Sequence, residues 1–156
     1  MSDTAQVIEL LTNISGSFIN NERLAASGSA IVPGMLVEEV GGEVQEHSTA
    51  AANAQKLFAL TNLPVGGTID DIYAAGESVR YGAAHAGQPA FALVAAGAPD
   101  IVDGDDLESA GDGTLRKAVA DAATDTSQRN AIVGSATEAV ANSGGGASVR
   151  IAIRVA

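Results

Sequence analysis

Hydrophobic and polar positions alternate most regularly at the end of the chain. Val149, Ile151, Ile153 and Val155 are interleaved with Ser148, Arg150, Ala152 and Arg154. That period of two, carried by β-branched residues, predicts a strand with one buried face. The same reading predicts a strand over Met35–Val40, ended by Gly41-Gly42, with Val44–His47 returning as its hairpin partner. Further strands are expected at Leu57–Thr61, Ser78–Ala84 and Ala90–Ala95, the last two divided by a Gly87-Gln88-Pro89 turn. Ile101-Val102, Leu107-Glu108, Thr114–Arg116 and Ala131–Ala136 complete the set, separated by turns at Asp103-Gly104 and Gly111-Asp112-Gly113. Thr68–Gly76 reads instead as one or two helical turns, with Thr68 as N-cap, Asp70 and Asp71 at the positive end of the helix dipole, and Gly76 closing the C-terminus. Ser48–Lys56 is open between loop and helical turn, and Lys117–Arg129 between surface loop and short helix. Short strands at roughly 8–12-residue spacing point to a closed barrel or a sandwich. No long amphipathic helix and no repeated β-α-β pattern occurs, which argues against a doubly wound nucleotide-binding fold.

The first 29 residues differ. Gln6-Val7-Ile8-Glu9-Leu10-Leu11 is one short apolar run, followed by Asn13, Ser15, Gly16, Ser17, Asn20, Asn21, Ser27, Gly28 and Ser29. Such composition resists forming a compact unit alone. It divides the chain into an extended N-terminal arm, 1–29, and a β-rich domain, 30–156. The arm is suited to adding a strand to a neighbour, with Val7, Ile8, Leu10 and Leu11 as its anchors on a partner surface. An ordinary first strand followed by a long loop is the alternative.

Composition narrows the function. Apolar residues make up 46% of the chain but aromatics only 3%, with no Trp. Ala, Val and Gly give thin packing layers, so stability gained by oligomerising or by docking on a larger surface is expected. The net charge of −11 disfavours nucleic acid and anionic membranes, both of which call for clustered cations. The absence of Cys removes disulfides, thiolate catalysis and Cys-based zinc sites. The start, Met1-Ser2-Asp3-Thr4, lacks the basic and apolar regions of a secretory signal. No apolar run approaches the roughly 20 residues of a membrane-spanning helix.

Candidate chemistry is sparse. There is no Gly-Lys-Ser/Thr phosphate loop, and Gly144–Gly146 leads into a strand rather than a helix N-terminus. No Gly-x-Ser-x-Gly elbow is present, and His47 and His85 fall in separate turn-rich segments, as exposed or structural residues. Asp100, Asp103, Asp105, Asp106, Glu108 and Asp112 are crowded enough to consider calcium. Their spacing fails the EF-hand loop, where Leu107 would occupy a ligand position. Hairpin turns whose Asp side chains bond their own backbone are the expected arrangement. No catalytic residue, cofactor or metal site is assigned.

Several turn and strand motifs occur in a familiar order. Ala30-Ile-Val-Pro-Gly34 with Leu36-Val37, Asp71-Ile-Tyr-Ala-Ala-Gly-Glu77 with Val79, Ala95–Ala98 through Gly104-Asp105, Leu107–Leu115, and Ile132–Glu138 with the last strand together resemble the head-decoration, or capsid cement, proteins of tailed phages. The resemblance covers about Ala30–Ala156. It implies a compact β-barrel or β-tulip-like fold and a homo-oligomer, expected as a trimer, on the outer surface of the expanded capsid. There it would bridge subunits of the major capsid protein. No catalytic residues come with the family. Other classes are weighed beside it: a head fibre base or tail-associated module of the virion, an extracellular calcium- or glycan-binding module, and, last, an enzyme.

Overall fold

A computed structural model describes residues 20–119 and 131–156. Within them the protein is mainly β, in two packed units. The first is a five-stranded antiparallel sheet of order β1-β7-β5-β3-β4, from β1 (Asn20–Leu24), β3 (Leu36–Val40), β4 (Glu43–Glu46), β5 (Leu57–Ala59) and β7 (Ser78–Ala83). A two-stranded ribbon of β2 (Ala30–Ile31) and β6 (Tyr73–Ala74) lies over it. The second unit is a closed barrel of order β10-β8-β12-β11-β9, from β8 (Pro89–Val94), β9 (Asp106–Ser109), β10 (Leu115–Lys117), β11 (Ile132–Ala136) and β12 (Val149–Val155).

The hairpin expected at Gly41-Gly42 forms, with Val40 opposite Glu43 and Val37 opposite Glu46. Both glycines have positive φ, 63° and 90°, the combination that matches a two-residue turn to the twist of its strands. Along β12, Ile151, Ile153 and Val155 are buried as the alternation predicts, while Val149 stands partly exposed at the barrel mouth.

The barrel explains the scarcity of aromatic residues. Five strands leave a narrow lumen, so large side chains need small ones opposite. Ile151 faces Ala92, Ile153 faces Ala90, and Val155 faces Gly134. At Gly134 the register shifts against β9 through a bulge. A Cβ there would sit 2.5 Å from the Arg154 carbonyl oxygen. Four antiparallel pairings and one parallel contact, Leu115 beside Val94, close the ring.

The sheet serves both units because alternate residues point opposite ways. Leu36, Phe58 and Leu60 join the barrel core, whereas Val37, Leu57, Ala59, Val79 and Tyr81 form a second core with Ile31, Val44 and Tyr73. The sheet curls until its edge strands meet: Ala25 bridges Val44, and the Ala26 amide donates to the Val44 carbonyl at 2.8 Å.

Two expectations need correction. Thr68–Gly76 is not helical. The Thr68 amide donates to Asp71 Oδ2 at 2.6 Å and the Asp70 amide to Thr68 Oγ1, so the capping contacts exist, but they close a turn. The chain then pairs as β6 with β2, because burying Tyr73 in the second core, with its hydroxyl donating to the Leu60 carbonyl at 2.8 Å, outweighs a short isolated helix. A 3₁₀ turn forms instead at Leu63–Val65, led by Pro64. Ile101 makes only an isolated bridge to Val140, not a strand. Of the stretch assigned to the arm, Asn20–Leu24 is strand β1, paired with β7 over all five residues. Val7, Ile8, Leu10 and Leu11 lie outside the described residues, as does most of Lys117–Arg129.

Candidate functional site

The two units are joined by a polar seam built around the Gly111–Gly113 turn. The Leu36 amide donates to the Gly113 carbonyl at 2.7 Å, and the Gly113 amide to the His47 carbonyl at 3.2 Å. His47, 2% exposed, places Nδ1 2.8 Å from Ser109 Oγ. The Ala51 amide adds a bond to the Ser109 carbonyl. His47 is therefore a structural tie between sheet and barrel. His85 is exposed, and its backbone amide donates to Gln88 Oε1. The two histidines are not brought together. A second tie is Arg150 on β12, which donates through Nε to the Pro33 carbonyl, pairs with Asp70 at 2.9 Å, and bonds the Ile69 carbonyl.

Four of the six crowded acidic residues, Asp100, Asp105, Glu108 and Asp112, are occupied locally. Asp100 accepts the Asn142 and Ser143 amides, and these hydrogen bonds, Ser143 foremost, hold its carboxyl below the usual range. Asp105 pairs with Lys117 and accepts the Val102 amide; Lys117 first, then that amide, lowers its pKa. Asp112 accepts both the amide and hydroxyl of Thr114, and Glu108, buried in the wall, pairs with Arg116 at 2.8 Å. Among the described residues no three His, Asp or Glu side chains are placed to share a metal ion.

At the seam of the curled sheet stands a network that the sequence reading did not single out. Arg23 Nε donates to the Tyr81 hydroxyl at 3.1 Å, that hydroxyl donates to Glu39 Oε1 at 2.6 Å, and Arg23 pairs with Glu39 at 3.3 Å. Arg23 also reaches the Gly42 carbonyl. Burial, then the bond to Glu39, pushes the Tyr81 hydroxyl up to about 12. The three residues are far apart in sequence, and only their common inward parity on paired strands could have linked them.

Two clefts open on the surface. One, of about 360 Å³, lies between Ser27–Ser29, Glu46 and Asp112. The other, of about 430 Å³, is lined by Asn62, Val65, Gly66, Gly67, Asp71, Ile72, Tyr73, Glu77 and Ser78.

A closed small barrel joined to a curled five-stranded sheet defines the fold class. No known family matches the chain, and no curated protein matches it. A solved structure shares the fold: the N base of the head fiber protein gp8.5 of bacteriophage phi29, with a TM-score of 0.52 at 13% identity, over 88% of this chain and 95% of that one.

Proposed function

We propose that this chain is a non-enzymatic structural protein of a tailed-phage head, seated on the outer surface of the expanded capsid and binding the major capsid protein. The observation that carries this reading is the fold likeness, over 88% of the chain, to a protein described as the base of a phage head fiber. The ordered motifs between Ala30 and Ala156 support it independently and favour the decoration, or cement, role, in which the protein bridges neighbouring capsid subunits. The physical design agrees. Barrel closure leaves no free strand edge on that unit for uncontrolled pairing, and a net charge of −11 keeps copies soluble at high local density. A homo-oligomer, a trimer in this reading, would multiply modest contacts into avidity. An N-terminal arm anchored by Val7, Ile8, Leu10 and Leu11 would add strand-type contacts to the shell.

A second reading, a head fibre base, is favoured by the identity of the structural neighbour. Purified protein mixed with expanded capsids that lack it, then sedimented and imaged by electron cryomicroscopy, tests both. Saturable binding with symmetric density on the outer shell, and shells that withstand higher temperature, fit cement. Binding without added shell stability fits a fibre base. No binding to the capsids of its own virus refutes the head-surface role. In the same assay, deletion of Ser2–Leu11 is expected to lower occupancy while leaving the β core folded.

A further inference from the structure

Four of the eight exposed large apolar residues among the described ones gather at one end of the sheet. Val65 (76% exposed) and Ile72 (58%) line the 430 Å³ cleft, Leu63 (41%) stands in the same 3₁₀ turn as Val65, and Leu24 (54%) is paired across β1 and β7 with Ser78, which lines the cleft. Scattered exposed apolar residues need no account, but two that line one cleft do.

The loop that displays them is pinned along its length. Arg80 Nη1 donates to the Thr61 carbonyl at 3.0 Å, the Tyr73 hydroxyl to the Leu60 carbonyl, and the Thr68 amide to Asp71. Arg150 holds Ile69 and Asp70 from the barrel side. At Gly67 a Cβ would meet the Asn62 carbonyl oxygen at 2.9 Å, so the turn is tight. A surface held in one shape with its apolar side chains outward loses little entropy on binding.

Its rim is acidic. Asp71 and Glu77 stand on the cleft wall, each accepting a backbone amide of its own turn, and Glu22 lies on the same face of β1 as Leu24. Arg80, already engaged with the Thr61 carbonyl, is the cation paired across from Glu22. A second copy would bring a net charge of −11 to that rim. Residues 1–19 of the chain would bring Asp3 and Glu9 and no Lys or Arg.

The geometry points to this cleft as a docking surface for an apolar segment of a partner protein that also carries Lys or Arg. Identifying that partner as a capsid subunit rests on the proposed head-surface role; the surface and the chemistry of its occupant do not. The test titrates the full chain with two synthetic peptides of equal length, one alternating Leu and Lys, the other Leu and Glu, followed by amide NMR. The Leu–Lys peptide is expected to shift Val65, Gly66, Ile72 and Ser78 saturably, and to bind about threefold more weakly when salt is raised to shorten the screening length. The double variant Val65→Ser/Ile72→Ser should lose these shifts with the remaining spectrum unchanged. Equal response to both peptides, or shifts centred elsewhere, overturns the proposal, as does wild-type self-association that the double variant abolishes. In a second arm, the double variant should bind expanded capsids about tenfold more weakly, the loss of roughly 1.4 kcal/mol. If wild type binds capsids and the variant binds them equally, the surface is wrong. If wild type does not bind capsids, the head-surface role fails, while the peptide titration still decides the surface.

Discussion

The barrel and the curled sheet solve the same problem, hiding strand edges, by different means. The barrel closes through backbone pairing around its whole circumference, and its core alternates Ile with Ala across facing strands. The sheet closes through one backbone bridge, Ala25 to Val44, and then through side chains, with Arg23, Tyr81 and Glu39 spanning what pairing leaves open. Its edge strand β1 buries almost nothing, Leu24 being 54% exposed. Backbone closure is indifferent to pH and salt, whereas a side-chain latch is not. The barrel is thus built as a platform. The sheet, whose end carries the cleft lined by Val65 and Ile72, is the unit in which local opening is expected.

The most severe way to break this comparison lies in the barrel. Gly134→Ala would place a Cβ 2.5 Å from a backbone oxygen of Arg154 that no rotamer change can relieve. The expected loss is about 3 kcal/mol, read as a lower urea midpoint. Because Leu36, Phe58 and Leu60 of the sheet pack into the barrel core, both units should unfold together. Gly111→Ala comes next. Gly111 has a φ of +93°, and a Cβ there would lie 2.9 Å from the Ala50 amide nitrogen. About 2 kcal/mol is expected from the strained backbone and close approach combined. Here amide exchange should rise first across the seam, at Ala51 and Gly113, before either core opens. Simultaneous loss of both cores would mean that the seam is not separable from them.

Local elements of both units are more legible in the sequence than the sheet's closure, and the reason is range. Period-two alternation in Val149–Val155 and the Gly41-Gly42 hairpin are local signals, and both appear with the expected register or burial. Thr68–Gly76 misled because its capping side chains do make their local bonds, while the deciding interaction, Tyr73 against the second core, involves residues that lie elsewhere in the chain. The Arg23–Tyr81–Glu39 latch depends on strand order, which short strands leave undetermined from sequence. Asp105 and Asp112 do bond the backbone of their own turns, as expected, because that chemistry spans only a few residues.

The mildest prediction separates the two units by titration. Both tyrosines, Tyr73 and Tyr81, belong to the sheet core and there is no Trp, so tyrosine signals report the sheet alone. Burial raises Tyr73, and burial with the Glu39 bond raises Tyr81 to about 12 from an ordinary value of 10.0. A phenol whose pKa is raised by folding stabilises the fold fully below its unfolded value, and that contribution fades as pH climbs through the folded value. The sheet should therefore weaken between about pH 10 and 12, with phenolate absorbance appearing as β1 amides begin to exchange. Tyr81→Phe is expected to cost about 1 kcal/mol near neutral pH by removing the hydroxyl between Arg23 and Glu39. It should also reduce the alkaline loss to the part that Tyr73 contributes. Exchange at Ile151 and Ile153 in the barrel should stay level over that window. Equal alkaline weakening of barrel and sheet, or an unchanged profile in Tyr81→Phe, would show that the latch does not close the sheet and that the two units share one mode of closure after all.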